Sequence, residues 1–201
     1  MKRILRIAVT SAIGLGLLAS AAPTFAHGGG HHRGSTIVTI DDGTLGAIVG
    51  LGLTPSAIKP GVIAANDDTV TATFPITKMK NGVIKHSGGI ALTNADGTRL
   101  ALTRYYIKGT ILTARSALDG KKLGRIPLFD LTNVKTPASG PCAVTADLLF
   151  TKEAAGALTA VFGAPDLTGV TFGSACVAPA SHDKDDHDDK DDHYDRRGDR
   201  D

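Results

Sequence analysis

Tryptophan is absent from this 201-residue chain, and only three tyrosines and six phenylalanines represent the aromatics. No flat aromatic platform for stacking sugars or bases can be built from so few rings. Nucleic acid is therefore set aside as a partner. Glutamate occurs once, at Glu153, and Gly and Thr are plentiful. That balance opposes a helical bundle and favours strands. No apolar run long enough to span a bilayer follows the first 26 residues, so no transmembrane segment is expected in the processed chain. Signatures of known chemistry are missing too. There is no G-x-S-x-G, H-E-x-x-H, phosphate-binding loop or dinucleotide fingerprint, and an enzyme is not expected.

What is present lies unevenly. Lys2, Arg3 and Arg6 precede an apolar stretch from Ile7 to Leu18, and Thr24-Phe25-Ala26 follows. Residues 1–26 form a secretory signal peptide by this pattern, and the protein is expected to be secreted or held in the cell envelope. Six of the seven histidines lie at the two ends. His27, His31 and His32 fall in a Gly-rich linker, 27–34, with nothing apolar to bury. His182, His187 and His193 punctuate an Asp-rich tail, 181–201, whose composition predicts disorder. Carboxylates suit hard cations and imidazoles suit zinc, copper or nickel. The termini are thus candidates for sequestering divalent metal, against the plainer reading of a solvating tail. Cleavage after Ala26 would also give His27 a free amine beside its imidazole, a copper-chelating arrangement.

Residues 35–180 make up one domain with an ordinary core. Cys142 and Cys176 are its two cysteines. In an exported chain an even count favours a disulfide, which at this spacing stabilises by roughly 3–4 kcal/mol. Two buried thiols or a metal pair are the alternatives. Charge is skewed as well: Lys78 to Arg125 holds ten basic residues against Asp96 and Asp119, whereas ten of the 20 acidic residues follow Ser181.

Alternation marks the strands. Thr36–Ile40 reads as one, ended by a turn at Asp41-Asp42-Gly43, and Leu45–Leu53 has no clear state. Thr54-Pro55 predicts a single helical turn, with Thr54 as cap. Val70, Ala72 and Phe74 alternate with threonines, and Val83–Thr93 and Thr98–Ile107 flank the hairpin turn Asn94–Gly97. Thr110–Arg115, Arg125–Leu131, Ala143–Phe150 and Thr168–Val177 complete the set. One helix is expected after Thr151, carried by Ala154, Leu158, Val161 and Phe162 and stopped at Gly163. The fold class is all-β, mainly an antiparallel sandwich or open barrel, with one short late α-helix.

Several segments carry a family resemblance. They are Phe74-Pro75-Ile76, the run from Gly82 through His86-Ser87-Gly88-Gly89 to Leu92, Gly109–Ala114, Ile126–Leu131 and Leu149–Leu158. In order and character they resemble the Htaa domain, an exported β-rich module of actinobacterial haem-uptake proteins. The resemblance implies a haem-carrying role, with haem typically held by a tyrosine and supported by a histidine. His86 matches the histidine position. No tyrosine precedes it, however, and near Phe162-Gly163 there is only the phenylalanine. Tyr105 and Tyr106 are the domain's only tyrosines and do not match the ligand position. His86 with Tyr105 or Tyr106 is therefore the one candidate haem constellation, beside the plainer reading that His86 shapes a turn. The expectation is a non-enzymatic binding or surface module, with terminal metal binding as its leading chemistry and haem carriage as the alternative.

Overall fold

The computed structural model describes residues 33–66 and 69–180. The expected signal peptide, 1–26, and all six terminal histidines lie outside the described residues. In chain order the elements are β1 (Gly34–Ile40), α1 (Asp42–Gly50), β2 (Thr54–Ile58), β3 (Val62–Asn66), β4 (Thr69–Lys80), β5 (Val83–His86) and β6 (Gly89–Thr93). They continue with β7 (Arg99–Lys108), β8 (Ile111–Leu118), β9 (Lys121–Lys135), β10 (Val144–Phe150), α2 (Lys152–Phe162) and β11 (Thr171–Pro179).

Every pairing is antiparallel, and the ladder closes on itself. The ring runs β7-β5-β4-β1-β11-β10-β9-β8 and returns to β7, giving eight strands. Closure leaves that ring without an unpaired edge. Three further strands sit on it. β3 lies against the first half of β4, while β6 lies against the first half of β7 and carries β2 outside it. Inward positions follow the alternation of the sequence: Thr36, Val38 and Ile40 on β1, and Ala72, Phe74 and Ile76 on β4, are all buried.

The chain expected as one strand from Val83 to Thr93 is broken. β5 and β6 both pair with β7, but Ser87 and Gly88 between them leave the ladder. The break is forced by close approach. A Cβ on Gly88 would fall 2.3 Å from the backbone nitrogen of Gly61, and Gly88 has φ +81°. On β7 the register shifts between Thr103 and Tyr106, and Arg104 takes φ +51°. This bulge reverses the parity of the strand, so that Leu100, Leu102, Tyr105 and Ile107 all face inward.

Two expectations are corrected. Thr54–Ile58 is strand β2, not a helical turn, because its register against β6 supplies partners that the local Thr-Pro signal does not disclose. The turn expected at Asp41–Gly43 instead starts a second helix, α1, where Asp41 Oδ1 accepts from the backbone N–H groups of Gly43 and Thr44. The expected late helix is α2. Thr151 Oγ1 accepts from the N–H of Ala154 and donates to the carbonyl of Pro127, and Gly163 ends the helix in the left-handed region. Cys142 and Cys176 form the disulfide, linking the approach to β10 with its neighbour β11.

Candidate functional site

The barrel encloses a cavity of about 220 Å³. Apart from Thr36, Asp41, Thr44, His86 and Tyr105, every residue lining it is apolar, Val38, Ala72, Leu102 and Leu148 among them. A cavity of ~150 Å³ with such walls stays dry and admits benzene or xenon. An eight-stranded barrel is wide enough either to be filled by its side chains or to hold one small ligand. This one is not filled.

The two ends of the cavity differ. β1 passes through Asp41 into α1, and β10 passes through Thr151 into α2. The N–H of Asp41 donates to the Phe172 carbonyl, and that of Phe150 to Val170, so both helices begin at one end of the barrel. Ala47 and Ile48 of α1 and Ala154, Ala157 and Leu158 of α2 line the cavity there. α1 is the weaker cover. Only Thr44 of its residues is buried, and Gly43, Gly46 and Gly50 each cost about 1 kcal/mol of helix propensity relative to alanine. A Cβ at Gly46 or Gly50 would meet nothing within 4 Å, so packing does not demand glycine at either position.

Toward the other end sits His86, 4% exposed. Its Nδ1 lies 3.3 Å from the Tyr105 carbonyl, which can only accept, so Nδ1 carries the proton. Nε2 then accepts from the Thr36 hydroxyl at 2.8 Å. Burial lowers the pKa of His86 to about 4, the bond to the Tyr105 carbonyl opposing that shift, and the ring is neutral at ordinary pH. Thr36 gave no signal of its own in the sequence. Its role follows from register, since it is the first inward-facing residue of β1.

The candidate constellation is only partly assembled. His86 and Tyr105 are joined through the Tyr105 backbone, not its hydroxyl. That hydroxyl donates to the Leu102 carbonyl at 3.0 Å, and burial holds it protonated by pushing its pKa well up. Tyr106 lies on the outer face, its ring between Lys85 Nζ at 4.6 Å and the Arg125 guanidinium at 3.9 Å. Outside the break, a groove of about 490 Å³ is lined by Lys59, Lys85, Ser87, Gly88, Arg104 and Tyr106, with His86 forming part of both walls. Among the described residues no group of three or more His, Cys, Asp or Glu side chains could hold a metal ion.

The architecture is that of a closed, antiparallel eight-stranded barrel. Comparison with solved structures places it more closely. The fold is similar to that of the haem-binding protein HtaB from Corynebacterium glutamicum, with a TM-score of 0.50 and 12% identity, covering 73% of this chain and 92% of that one. The C-terminal domain of HtaA from the same organism aligns at a TM-score of 0.48 and 11% identity, over 74% of this chain and 99% of that domain. The Htaa resemblance seen in the sequence thus holds for the fold. No family model matches the chain, and no curated protein does.

A tyrosine-held haem does not fit the residues present. Tyr105 spends its hydroxyl on the Leu102 carbonyl, Tyr106 lies on the outer face, and His86 Nε2 is engaged by Thr36. The cavity also falls below the ~300–1,000 Å³ usual for drug-sized ligands.

Proposed function

We propose that this chain is an exported, non-enzymatic carrier module that holds a compact apolar ligand inside its barrel. The observation that supports this reading is the apolar cavity itself, bounded by a neutral, fully bonded His86 and covered at the opposite end by a glycine-rich helix. Nothing in the cavity demands a charged ligand. Burying apolar surface would supply the binding energy, about 25 cal/mol per Å². Thermal unfolding of the mature chain with and without benzene tests it. Saturating benzene is expected to raise Tm by several degrees, since a ligand that binds only the folded state stabilises it. Filling the cavity by Ala47→Phe should abolish the rise. An unchanged Tm in the wild type would overturn the reading.

Haem carriage is the second reading, supported by the likeness in fold to a haem-binding protein. It requires Thr36 to release His86 Nε2 and α1 to give way. Haemin titration of a chain with alanine at His27, His31, His32, His182, His187 and His193, read at the Soret band, separates the two. A saturable one-to-one shift lost in His86→Ala favours haem, whereas no shift alongside benzene binding favours the apolar ligand. Metal sequestration by those six terminal histidines and the Asp-rich tail is a separate proposal, supported by composition. Calorimetry with zinc on the wild type and the six-alanine chain tests it, and equal heats would end it.

A further inference from the structure

The outer groove at the strand break has a chemistry opposite to that of the cavity. Lys59, Lys85 and Arg104 line it, and among the described residues no carboxylate does. Surface lysines alone would mean little, but two further observations converge here. The hydroxyl of Ser87 is buried and has no hydrogen-bond partner. Buried polar atoms are nearly always paired, and this orphan belongs to a residue of the groove wall, with no partner among the described residues. The second is backbone strain. Arg104 is held at φ +51°, where a residue with a Cβ is disfavoured. Its N–H donates to the Gly88 carbonyl at 3.1 Å, and its own carbonyl accepts from Arg125 Nη1 at 3.0 Å. The fold therefore clamps this residue on both sides in a costly conformation, directly across from the break. Strain sustained in this way clusters at functional sites.

We propose that the groove over the Ser87–Gly88 break is an oxyanion-binding site, taking a carboxylate or phosphate group against Lys59, Lys85, Arg104 and the Ser87 hydroxyl. Three donors of positive charge and one neutral O–H match an acceptor-only ligand, and charge-assisted hydrogen bonds supply its affinity. This site is independent of the barrel's interior reading, since it lies on the other face of the wall.

The carboxylates could come from a free anion or from the chain's own Asp-rich tail. Pro179 pairs with Gly34, Arg33 donates to the Ile76 carbonyl, and Ile76 pairs with His86. The last described residues thus leave the barrel three strands from β5, a separation of about 15 Å at strand spacing. Twenty-one residues follow Ala180, and ten of them are aspartates.

The test is a titration of the ¹⁵N-labelled mature chain with inorganic phosphate, followed by the amide shifts of Ser87, Gly88 and Arg104. Three variants accompany it: Lys59→Ala with Arg104→Ala, Ser87→Ala, and asparagine at Asp183, Asp185, Asp186, Asp188, Asp189, Asp191 and Asp192. Saturable shifts at the three amides are expected, weakened about tenfold in the double-alanine chain and less in Ser87→Ala. Lys59 and Arg104 are both exposed, so the fold tolerates their removal. Tighter phosphate binding in the asparagine chain would identify the tail as the resident carboxylate, and equal binding would identify a free anion. Absence of saturable shifts in both the wild type and the asparagine chain, or equal affinity in the double-alanine chain, overturns the site.

Discussion

Tyr105 and Tyr106 are neighbours in sequence with opposite surroundings. Tyr105 is 5% exposed, packs edge-on against Phe74 at 4.7 Å and spends its hydroxyl on a backbone carbonyl. Tyr106 faces outward and is gripped by two cations. The bulge at Arg104 decides which is which. With strict alternation from Leu100 and Leu102, Arg104 and Tyr106 would point inward and Tyr105 outward. One extra residue thus separates a mainly apolar interior from a cationic exterior across a wall a single strand thick. The lesson is that the chemistry of this barrel is set by parity as much as by residue type.

The contrast can be broken most severely from the inside. Tyr105→Ala should cost about 3–5 kcal/mol in urea unfolding, the usual cost of emptying a large aromatic site. A cost below that of Tyr106→Ala would reverse the assignment of faces. Next comes the pH response of the interior histidine. In the unfolded chain His86 binds its proton near pH 6.5, and in the fold only near pH 4. Between those values the unfolded state holds more protons, so stability falls as pH drops through that window and is level for this group above it. The loss amounts to about 3 kcal/mol across the window. His86→Gln should flatten this part of the stability profile, and an identical profile in the variant would refute the neutral buried ring.

Smaller effects sharpen the same comparison. Thr36→Val leaves His86 Nε2 without a donor and should cost about 1–3 kcal/mol. On the outside, Tyr106→Ala loses only exposed cation–π contacts, about 1 kcal/mol or less. Arg104→Gly should move in the opposite direction, gaining about 1 kcal/mol by relieving the left-handed backbone. Chemical denaturation of each single variant at pH 7 ranks them, and a destabilised Arg104→Gly chain would show that Arg104 stores no strain.

Much of this was legible before the fold was known. The alternation in β4, the Asn94–Gly97 hairpin, the Thr151 cap and the Cys142–Cys176 bond all rest on local patterns or on compartment, and each appears in the structure. Helix α1 was not legible, because its glycines suppress helical propensity and its cap looks like a turn. Strand β2 was hidden by Thr54-Pro55, a helix-start signal overridden by pairing with β6. Barrel closure depends on β7 meeting β8 as well as β5 and β6, a long-range fact that no local pattern carries. At the site, sequence singled out His86 but could not provide Thr36 as its partner, fifty residues earlier. Nor could it choose between the two tyrosines, since the bulge that orients them forms where β7 meets β8 and Gly88 across long sequence separations.

The hollow, apolar interior is the claim on which the proposed function stands. Its most direct test is a benzene titration of the methyl-labelled mature chain by NMR. Saturable shifts concentrated on the methyls of Val38, Leu102, Ile107 and Leu148 are predicted, with those of the exposed Val49, Leu123 and Val134 unmoved. Shifts confined to the exposed methyls, or none at any concentration, would contradict the account.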